Sequence, residues 1–454
     1  MRVHFIAIGG SAMHNLAIAM HKKGFVVSGS DDEIVEPSKS RLKKYDLLPE
    51  AEGWNENSIN KDLDAVILGM HARADNPELL KAKELELKIY SYPEYIYEQT
   101  KNKIRVVVGG SHGKTTITAM ILHVLHENKI DCDYLVGAQL EGFDTMVKLT
   151  ADAKIAVIEG DEYLSSPIDR RPKFHLYRPT IATLSGIAWD HINVFPTFEN
   201  YIEQFRIYID LIEQNGKLVY SKNDPEVKKL VENSKTGIKK IPYGIPEHKI
   251  DKGITTILSP NTNRQTSLLV FGDHNLMNLT CAWKVCLELG LSDAQFLGAI
   301  GSFRGASKRL ELVAKNDLTA IYKDFAHSPS KLKATTAAVK QQFPNRKLIA
   351  CMELHTFSSL NEDFLKEYRG AMSGADEAIV YFNPHTIAHK KLNPITADQV
   401  RAAFDNNKIQ VFNDSIQLIR SLESKSWKDS NLLMMSSGNF DGIDLKVLGE
   451  KIIA

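Results

Sequence analysis

Residues 104–118 read IRVVVGGSHGKTTIT. Ile104, Val106, Val107 and Val108 form a β-preferring run without polar alternation, the pattern of a buried strand. Gly109, Gly110 and Gly113 then turn the chain, and a helical pattern opens at Lys114. Strand, glycine turn, Lys-Thr and helix together make a phosphate-binding loop. The glycines let backbone N–H groups face phosphate oxygens, and the helix presents its positive end. The spacing is G-x-x-G-K-T from Gly110, because Val108 stands where the stricter motif has its first glycine. On this reading Gly110, Ser111, His112, Gly113, Lys114, Thr115 and Thr116 bind ATP. Lys114 reaches the outer phosphates and the Thr115 hydroxyl ligates Mg²⁺. The alternative is an ordinary glycine turn before a helix, against which the Lys-Thr-Thr run argues.

Upstream, Val3 to Ile8 reads as a strand, Gly9-Gly10-Ser11 as a turn and Met13 to His21 as a helix ended by Gly24. A second strand, Phe25 to Ser28, closes on Asp31. That is the layout of a dinucleotide-binding half-domain, although Ala7 and Ala12 stand where two of its three glycines belong. It points to a phosphate-bearing ligand on the Met13 helix more than to NAD. Downstream, strands over 155–158, 180–184 and 217–220 alternate with helices, as do strands over 318–322, 347–352, 377–381 and 432–436. Such alternation implies largely parallel sheets covered on both faces. Residues 244–265 read as an irregular β-rich insertion, and 275–289 as a helix ended by Gly290. The fold expected is three tandem α/β domains: a Rossmann-like domain over 1–98, a central P-loop ATPase-like parallel sheet over 99–303, and a second Rossmann-like domain over 304–454.

The 56 basic and 56 acidic residues cancel, which removes any electrostatic case for nucleic acid or an anionic membrane. No apolar run approaches the ~20 residues a bilayer requires, and Val3 to Ile8 is too short for a signal-peptide core. The four cysteines are scattered with no C-x-x-C pair, as suits a reducing cytoplasm and no structural zinc. The expectation is a cytoplasmic monomer or homodimer.

Carboxylates following strands of the central unit are natural Mg²⁺ ligands, and Glu159, Asp161 and Glu162 come directly after the 155–158 strand. A solvated acidic loop is the plainer reading. Asp190-His191 follows another strand, and a neutral imidazole there can ligate the metal, although such pairs are often structural. In Gly272 to Asn278, Asp273 or Asn275 could serve only as a helix cap.

The ordered series GGSHGKTT, EGDEY, WDH, GDHNLMN, KRLEL and YKDFAHSP, with the N-terminal glycine turn, resembles the Mur ligase family, the ATP-dependent ligases of bacterial cell-wall synthesis. The resemblance spans the whole chain and implies activation of a carboxylate as an acyl phosphate, followed by attack of an amine. It implies Lys114, Glu162 and His191 as catalytic residues, with Thr115, Glu162 and His191 on Mg²⁺ and Glu159 supporting them. It places His274, Asn275, Arg309, Asp324 and His327 on ATP, with the third domain closing over it. It places Gly9, Gly10, Ser11 and Asp31 on UDP-N-acetylmuramate, and His71, Arg178 and His355 on the substrates.

The segment from Asp161-Glu162-Tyr163 to Pro179 is similar to the branch whose amine donor is the tripeptide L-alanyl-γ-D-glutamyl-meso-diaminopimelate. Its Arg170, Arg171, Lys173 and Arg178 offer cations to that donor; ligation of L-alanine is the near alternative. An NAD-dependent oxidoreductase and an idle nucleotide-sugar-binding regulator are the readings outside ligation. Several residues depart from the family pattern: Ser111 replaces Thr, Gly160 Ala, Lys323 Asp and Ser328 His, and Glu353-Leu354-His355-Thr356 replaces Glu-Pro with an arginine loop.

Overall fold

The computed structural model describes residues 1–454 apart from 141, 190–193, 260–263, 307–308 and 406–407. Its contacts divide the chain into two units, Met1–Ile245 with Met277–Ile300, and Pro246–Leu276 with Gly301–Ala454. Mixed α/β layers with parallel-rich sheets build both units, as the alternating pattern predicts.

The first unit carries two sheets. Strands β1 (Arg2–Ile6), β2 (Val26–Ser30), β3 (Ala65–Leu68) and β4 (Ile89–Ser91) run parallel in the order β2-β1-β3-β4. The larger sheet holds β5 (Ile104–Gly109), β6 (Asp133–Leu135), β7 (Val147–Lys148), β8 (Ile155–Glu159), β9 (Ile181–Leu184), β10 (Lys217–Ser221) and β11 (Lys239–Tyr243). Its order is β11-β10-β9-β5-β8-β6-β7. The valine run of β5 sits at the centre, between the parallel strands β8 and β9. Val106, Val107 and Val108 are fully buried, which explains a run with no polar alternation. Each such side chain stabilises the sheet by about 1.5–3 kcal/mol.

Arg105 is buried in the same strand, and its guanidinium donates to the carbonyls of Thr100 (3.0 Å), Lys101 (2.7 Å), Tyr177 (3.0 Å) and Arg178 (3.0 Å). It also pairs with Glu213. A buried cation is tolerable only with such partners, and these tie the end of helix Tyr92–Thr100 to the sheet.

The second unit has a small antiparallel sheet, β12 (His248–Asp251), β13 (Ile254–Leu258) and β14 (Gln265–Leu268). This is the β-rich insertion, and it clusters with the C-terminal part of the chain rather than with the central sheet. The main sheet comprises β15 (Glu311–Lys315), β16 (Thr319–Asp324), β17 (Lys347–Leu354), β18 (Glu377–Phe382), β19 (Gln410–Phe412) and β20 (Ser430–Met435). Its order is β15-β16-β20-β17-β18-β19, with only β15 antiparallel. Among the described residues, no helix is long and apolar enough to cross a membrane.

Candidate active site

The phosphate-binding loop leaves the C-terminal end of β5, where parallel sheets place their ligands. Gly110 has φ +123°, and Gly113 has φ +76° at the N-cap of helix Lys114–Glu127. A Cβ on Gly110 would overlap Ser185, and one on Gly113 would overlap the Asn278 side-chain amide. Both positions therefore need glycine for conformation and for space.

Lys114 and Thr115 begin the helix and point at two carboxylates. Lys114 Nζ donates to the Gly110 carbonyl at 2.8 Å and to Glu162 Oε2 at 2.7 Å. Burial works against the Lys114 charge, but the Glu162 carboxylate outweighs it, so its pKa is raised and it stays a cation. Thr115 Oγ1 donates to Glu159 Oε1 at 2.8 Å, and the Gly137 amide donates to Glu159 Oε2 at 2.8 Å. Burial pushes the Glu159 pKa up, while these two hydrogen bonds pull against it. Ser111 Oγ lies 2.9 Å from the Tyr201 hydroxyl, which donates to Glu162 Oε1 at 3.3 Å. The Ala188 amide donates to Ser111 Oγ at 3.0 Å. The loop, Glu159 and Glu162 thus form one hydrogen-bonded cluster.

The sequence reading gave the metal Thr115, Glu162 and His191. His191 and Asp190 lie outside the described residues. Glu162 is engaged by Lys114, and the carboxylate beside Thr115 is Glu159. A hydroxyl and a carboxylate suit Mg²⁺, which takes one or two protein oxygens and completes its shell with phosphates and water. No group of three or more His, Cys, Asp or Glu able to hold a metal occurs among the described residues, and a Mg²⁺ site of this kind does not require one.

In the N-terminal sheet, Gly9 N donates to Asp31 Oδ2 at 2.7 Å, and Gly10 precedes helix Ser11–Lys22. Gly9, Gly10, Ser11 and Asp31 are therefore gathered at the C-terminal ends of β1 and β2. His71 is exposed on the turn after β3, whose Gly69 lies against Ala7 at the end of β1. Burial raises the Asp31 pKa to about 6, with its hydrogen bond to Asp32 adding to the shift. A raised carboxyl pKa contributes stability that is complete below pH ~4 and lost as pH rises through about 6. Relative to Asp31→Asn, which does not titrate, the native chain is expected to lose roughly 2–3 kcal/mol between pH 4 and pH 7. Paired urea melts at the two pH values check this; parallel pH profiles for both proteins contradict it.

Arg178 stands apart from the phosphate loop. It lies three residues before β9, with its carbonyl on Arg105 and its guanidinium 5.9 Å from the Tyr97 ring centre. That is the N-terminal end of the sheet, about 16 Å of strand away from the phosphate loop. Two of the neighbouring cations are paired within their own segment. Arg171 pairs with Asp169 at 2.6 Å and Lys173 with Asp161 at 2.6 Å, because the segment supplies its own carboxylates.

In the second unit, Asp324 is buried at the end of β16 and accepts from the amides of Leu310 (2.6 Å) and Ala326 (2.7 Å). Burial raises its pKa. The Arg309 guanidinium stands 5.1 Å from the Phe325 ring centre, and His327 Nδ1 is 2.8 Å from the Phe325 carbonyl. Burial lowers the His274 pKa to about 4, with Arg309 reinforcing the shift against Asp273, so the imidazole is neutral. Asn275 Nδ2 donates to the Phe271 carbonyl at 2.9 Å. His355 lies past β17, its Nδ1 3.5 Å from the buried Glu353, which accepts from Phe440 N at 2.8 Å.

Sequence reasoning missed Tyr201, Asn278 and Gly137. Asn278 stands in the GDHNLMN stretch but carried no assignment. Tyr201 reaches Ser111 from 90 positions away, and nothing local marks it.

A parallel α/β sheet with a loop of this form defines a nucleotide-binding enzyme class. The protein-family models narrow it: Mur ligase family, catalytic domain, matches residues 2–103; Mur ligase middle domain, 108–286; and Mur ligase, glutamate ligase domain, 308–438. The UDP-N-acetylmuramate–L-alanine ligase of Arthrobacter sp. (strain FB24) is 30% identical over 390 residues, covering 84% of this chain and 80% of that protein. In fold, the chain is similar to a murein peptide ligase from Psychrobacter arcticus (TM-score 0.63, 22% identity, 100% and 99% of the two chains). It is likewise similar to the UDP-N-acetylmuramate–alanine ligase of Thermotoga maritima (TM-score 0.67, 19% identity, 100% and 98%). The chain belongs to the Mur ligase family and is an ATP-dependent carbon–nitrogen ligase.

Proposed function

We propose that the chain joins UDP-N-acetylmuramate to the tripeptide L-alanyl-γ-D-glutamyl-meso-diaminopimelate, with ATP and Mg²⁺. The observation that carries the ligase chemistry is the Lys114–Glu162 and Thr115–Glu159 cluster at the end of β5 and β8. The lactyl carboxylate attacks the γ-phosphorus and ADP leaves, giving an acyl phosphate. The amine of the donor then adds to the acyl carbon, and the tetrahedral intermediate expels phosphate to leave an amide. Lys114 neutralises charge building on the transferred phosphoryl group, and the loop amides align it. Thr115 and Glu159 would hold Mg²⁺, which when bound offsets phosphate charge. Gly9, Gly10, Ser11 and Asp31 receive the nucleotide sugar. The roles of His274, Asn275, Arg309, Asp324 and His327 toward ATP rest on the family resemblance and belong to this proposal.

If Glu159 serves the metal, Glu159→Gln is expected to raise the Mg²⁺ concentration for half-maximal rate about tenfold, within the range for groups that orient a metal site. An unchanged Mg²⁺ titration removes Glu159 from this role.

The donor assignment is supported by the Asp161 to Pro179 pattern. L-Alanine is the second reading, favoured by the 30% identical relative that is an L-alanine ligase. Phosphate release with UDP-N-acetylmuramate, ATP and each donor decides between them by kcat/KM. We expect the tripeptide to exceed L-alanine at least tenfold; the reverse order assigns the chain to L-alanine ligation.

A further inference from the structure

The N-terminal sheet carries a chain of polar side chains that the ligation chemistry does not use. Parallel pairing of β1 with β2 sets His4 opposite Ser28, so both side chains lie on one face. Helix Pro77–Glu84 packs Leu79 and Ala82 with Val66 of β3 on that face. The Asn76 side chain caps this helix by accepting from Leu79 N at 3.0 Å, which fixes the first turn carrying Glu78. His4 and Glu78 are 1% and 0% exposed. β2 is the edge of the sheet, and Ser28 is exposed on it.

The hydrogen bonds assign the protons along this chain. Glu78 Oε2 lies 3.3 Å from His4 Nε2 and accepts from the Ser30 hydroxyl, while Glu78 Oε1 accepts from Asn55 N at 2.6 Å. Burial works against the Glu78 charge, but the hydrogen bonds from His4, Ser30 and Asn55 outweigh it and lower its pKa. An ionised carboxylate only accepts, so the neutral imidazole of His4 carries its proton on Nε2. Nδ1 is then an acceptor, and the Ser28 hydroxyl, 2.9 Å away, donates to it. A hydroxyl donating to a base that a third group orients is the arrangement of serine triads, with the two ring nitrogens exchanged. When Nδ1 takes the serine proton, the imidazolium stays beside the Glu78 carboxylate, so the new buried charge is compensated.

We infer that Ser28 is a nucleophilic serine that takes an acyl group from an activated ester. Ser28 Oγ attacks the carbonyl carbon while its proton passes to His4 Nδ1. The new C–O bond forms and the bond to the leaving alkoxide or aryloxide breaks. The imidazolium gives the proton to that leaving group, so the products are an O-acylserine and an alcohol or phenol. Val26, two residues earlier on the same face, is 56% exposed and offers an acyl chain an apolar neighbour. Ser28 stands about 10 Å of strand before Asp31, apart from the turn at Gly9 and Gly10.

The test treats the full chain with p-nitrophenyl acetate and follows acetylation of each serine by peptide mass spectrometry. Ser28 is expected to acetylate ~10²-fold faster than Ser424, since a positioned base contributes about 10²–10⁴-fold. Ser424 is exposed too, but its hydroxyl donates to the Ser421 carbonyl. His4→Gln keeps a hydrogen-bonding side chain that cannot take the proton, and is expected to bring Ser28 down to the Ser424 rate. Should that variant fail to fold, the native chain in concentrated urea replaces it, because the three side chains separate there and the preference is expected to vanish. Ser28 reacting no faster than Ser424 in the folded native chain overturns the inference. A preference that persists in folded His4→Gln, or in urea, overturns it as well.

Discussion

Lys114→Ala is expected to lower the rate of ligation by a factor of ~10² or more while the fold is preserved. Phosphoryl transfer offers a protein little covalent chemistry, so charge stabilisation and alignment supply most of the acceleration. Losing one preorganised donor to a developing oxyanion typically costs about 10²–10³ in kcat. Lys114 is the cation at the loop, held between the Gly110 carbonyl and Glu162. Its removal also takes the Lys114 ammonium from the buried Glu162 carboxylate, to which the Tyr201 hydroxyl still donates. Lys114→Arg keeps the charge but not the shape of the ammonium, so partial recovery at best is expected. Single-turnover acyl-phosphate formation, monitored as ADP release alongside a thermal melt, checks this. A folded Lys114→Ala protein with near-normal ADP release removes the loop from the chemistry.

Much of the fold was legible because local pattern and tertiary environment agree. The valine run 106–108 is buried on both faces, Gly24 and Gly290 end their helices at positive φ, and β5, β8, β9, β10, β16, β17, β18 and β20 lie where alternation places them. What escaped is what short or exposed segments do not encode. β7 has two residues, β6 and β19 have three, and β15 mixes half-buried and exposed positions on an edge with a register shift between Leu312 and Ala314. In such segments pairing with a neighbour, not propensity, decides the strand. The insertion 244–265 showed its β character, but nothing in its composition reports which unit it packs against.

The site divides in the same way. Lys114 and Thr115 were legible because the loop is contiguous, and Asp31 because a glycine turn and an acid recur at a fixed separation. The pairing within the site was not. Glu159 and Glu162 are three apart in sequence, yet one takes Thr115 and the other Lys114. That depends on where the chain turns after β8, which residue types alone do not fix. Arg178 stands apart from the loop because a count of cations ignores direction: between Asp161 and Pro179 the chain returns from the carboxyl end of the sheet to its amino end. A basic stretch crossing that distance cannot present all its charges at one place.

Gly113→Ala is expected to cost about as much activity as Lys114→Ala, for a steric reason. Gly113 has φ +76° and caps the helix that presents Lys114 and Thr115. An L-residue in the left-handed region pays roughly 1–2 kcal/mol. Its methyl would also overlap the Asn278 side chain, whose amide approaches the glycine so closely that one of the two must move. Asn278 is buried on helix Asp273–Glu288, so the loop is the part expected to yield. A displacement near 1 Å at a phosphate-aligning loop can cost about 10² in rate. The strain and the overlap are separable by a double-mutant cycle. Asn278→Ala removes the overlap and leaves the φ cost, so Gly113→Ala with Asn278→Ala is expected to regain roughly tenfold over Gly113→Ala alone. Strictly multiplicative losses in the double variant would show that Asn278 does not set the loop, and would leave the backbone conformation as the whole of the effect.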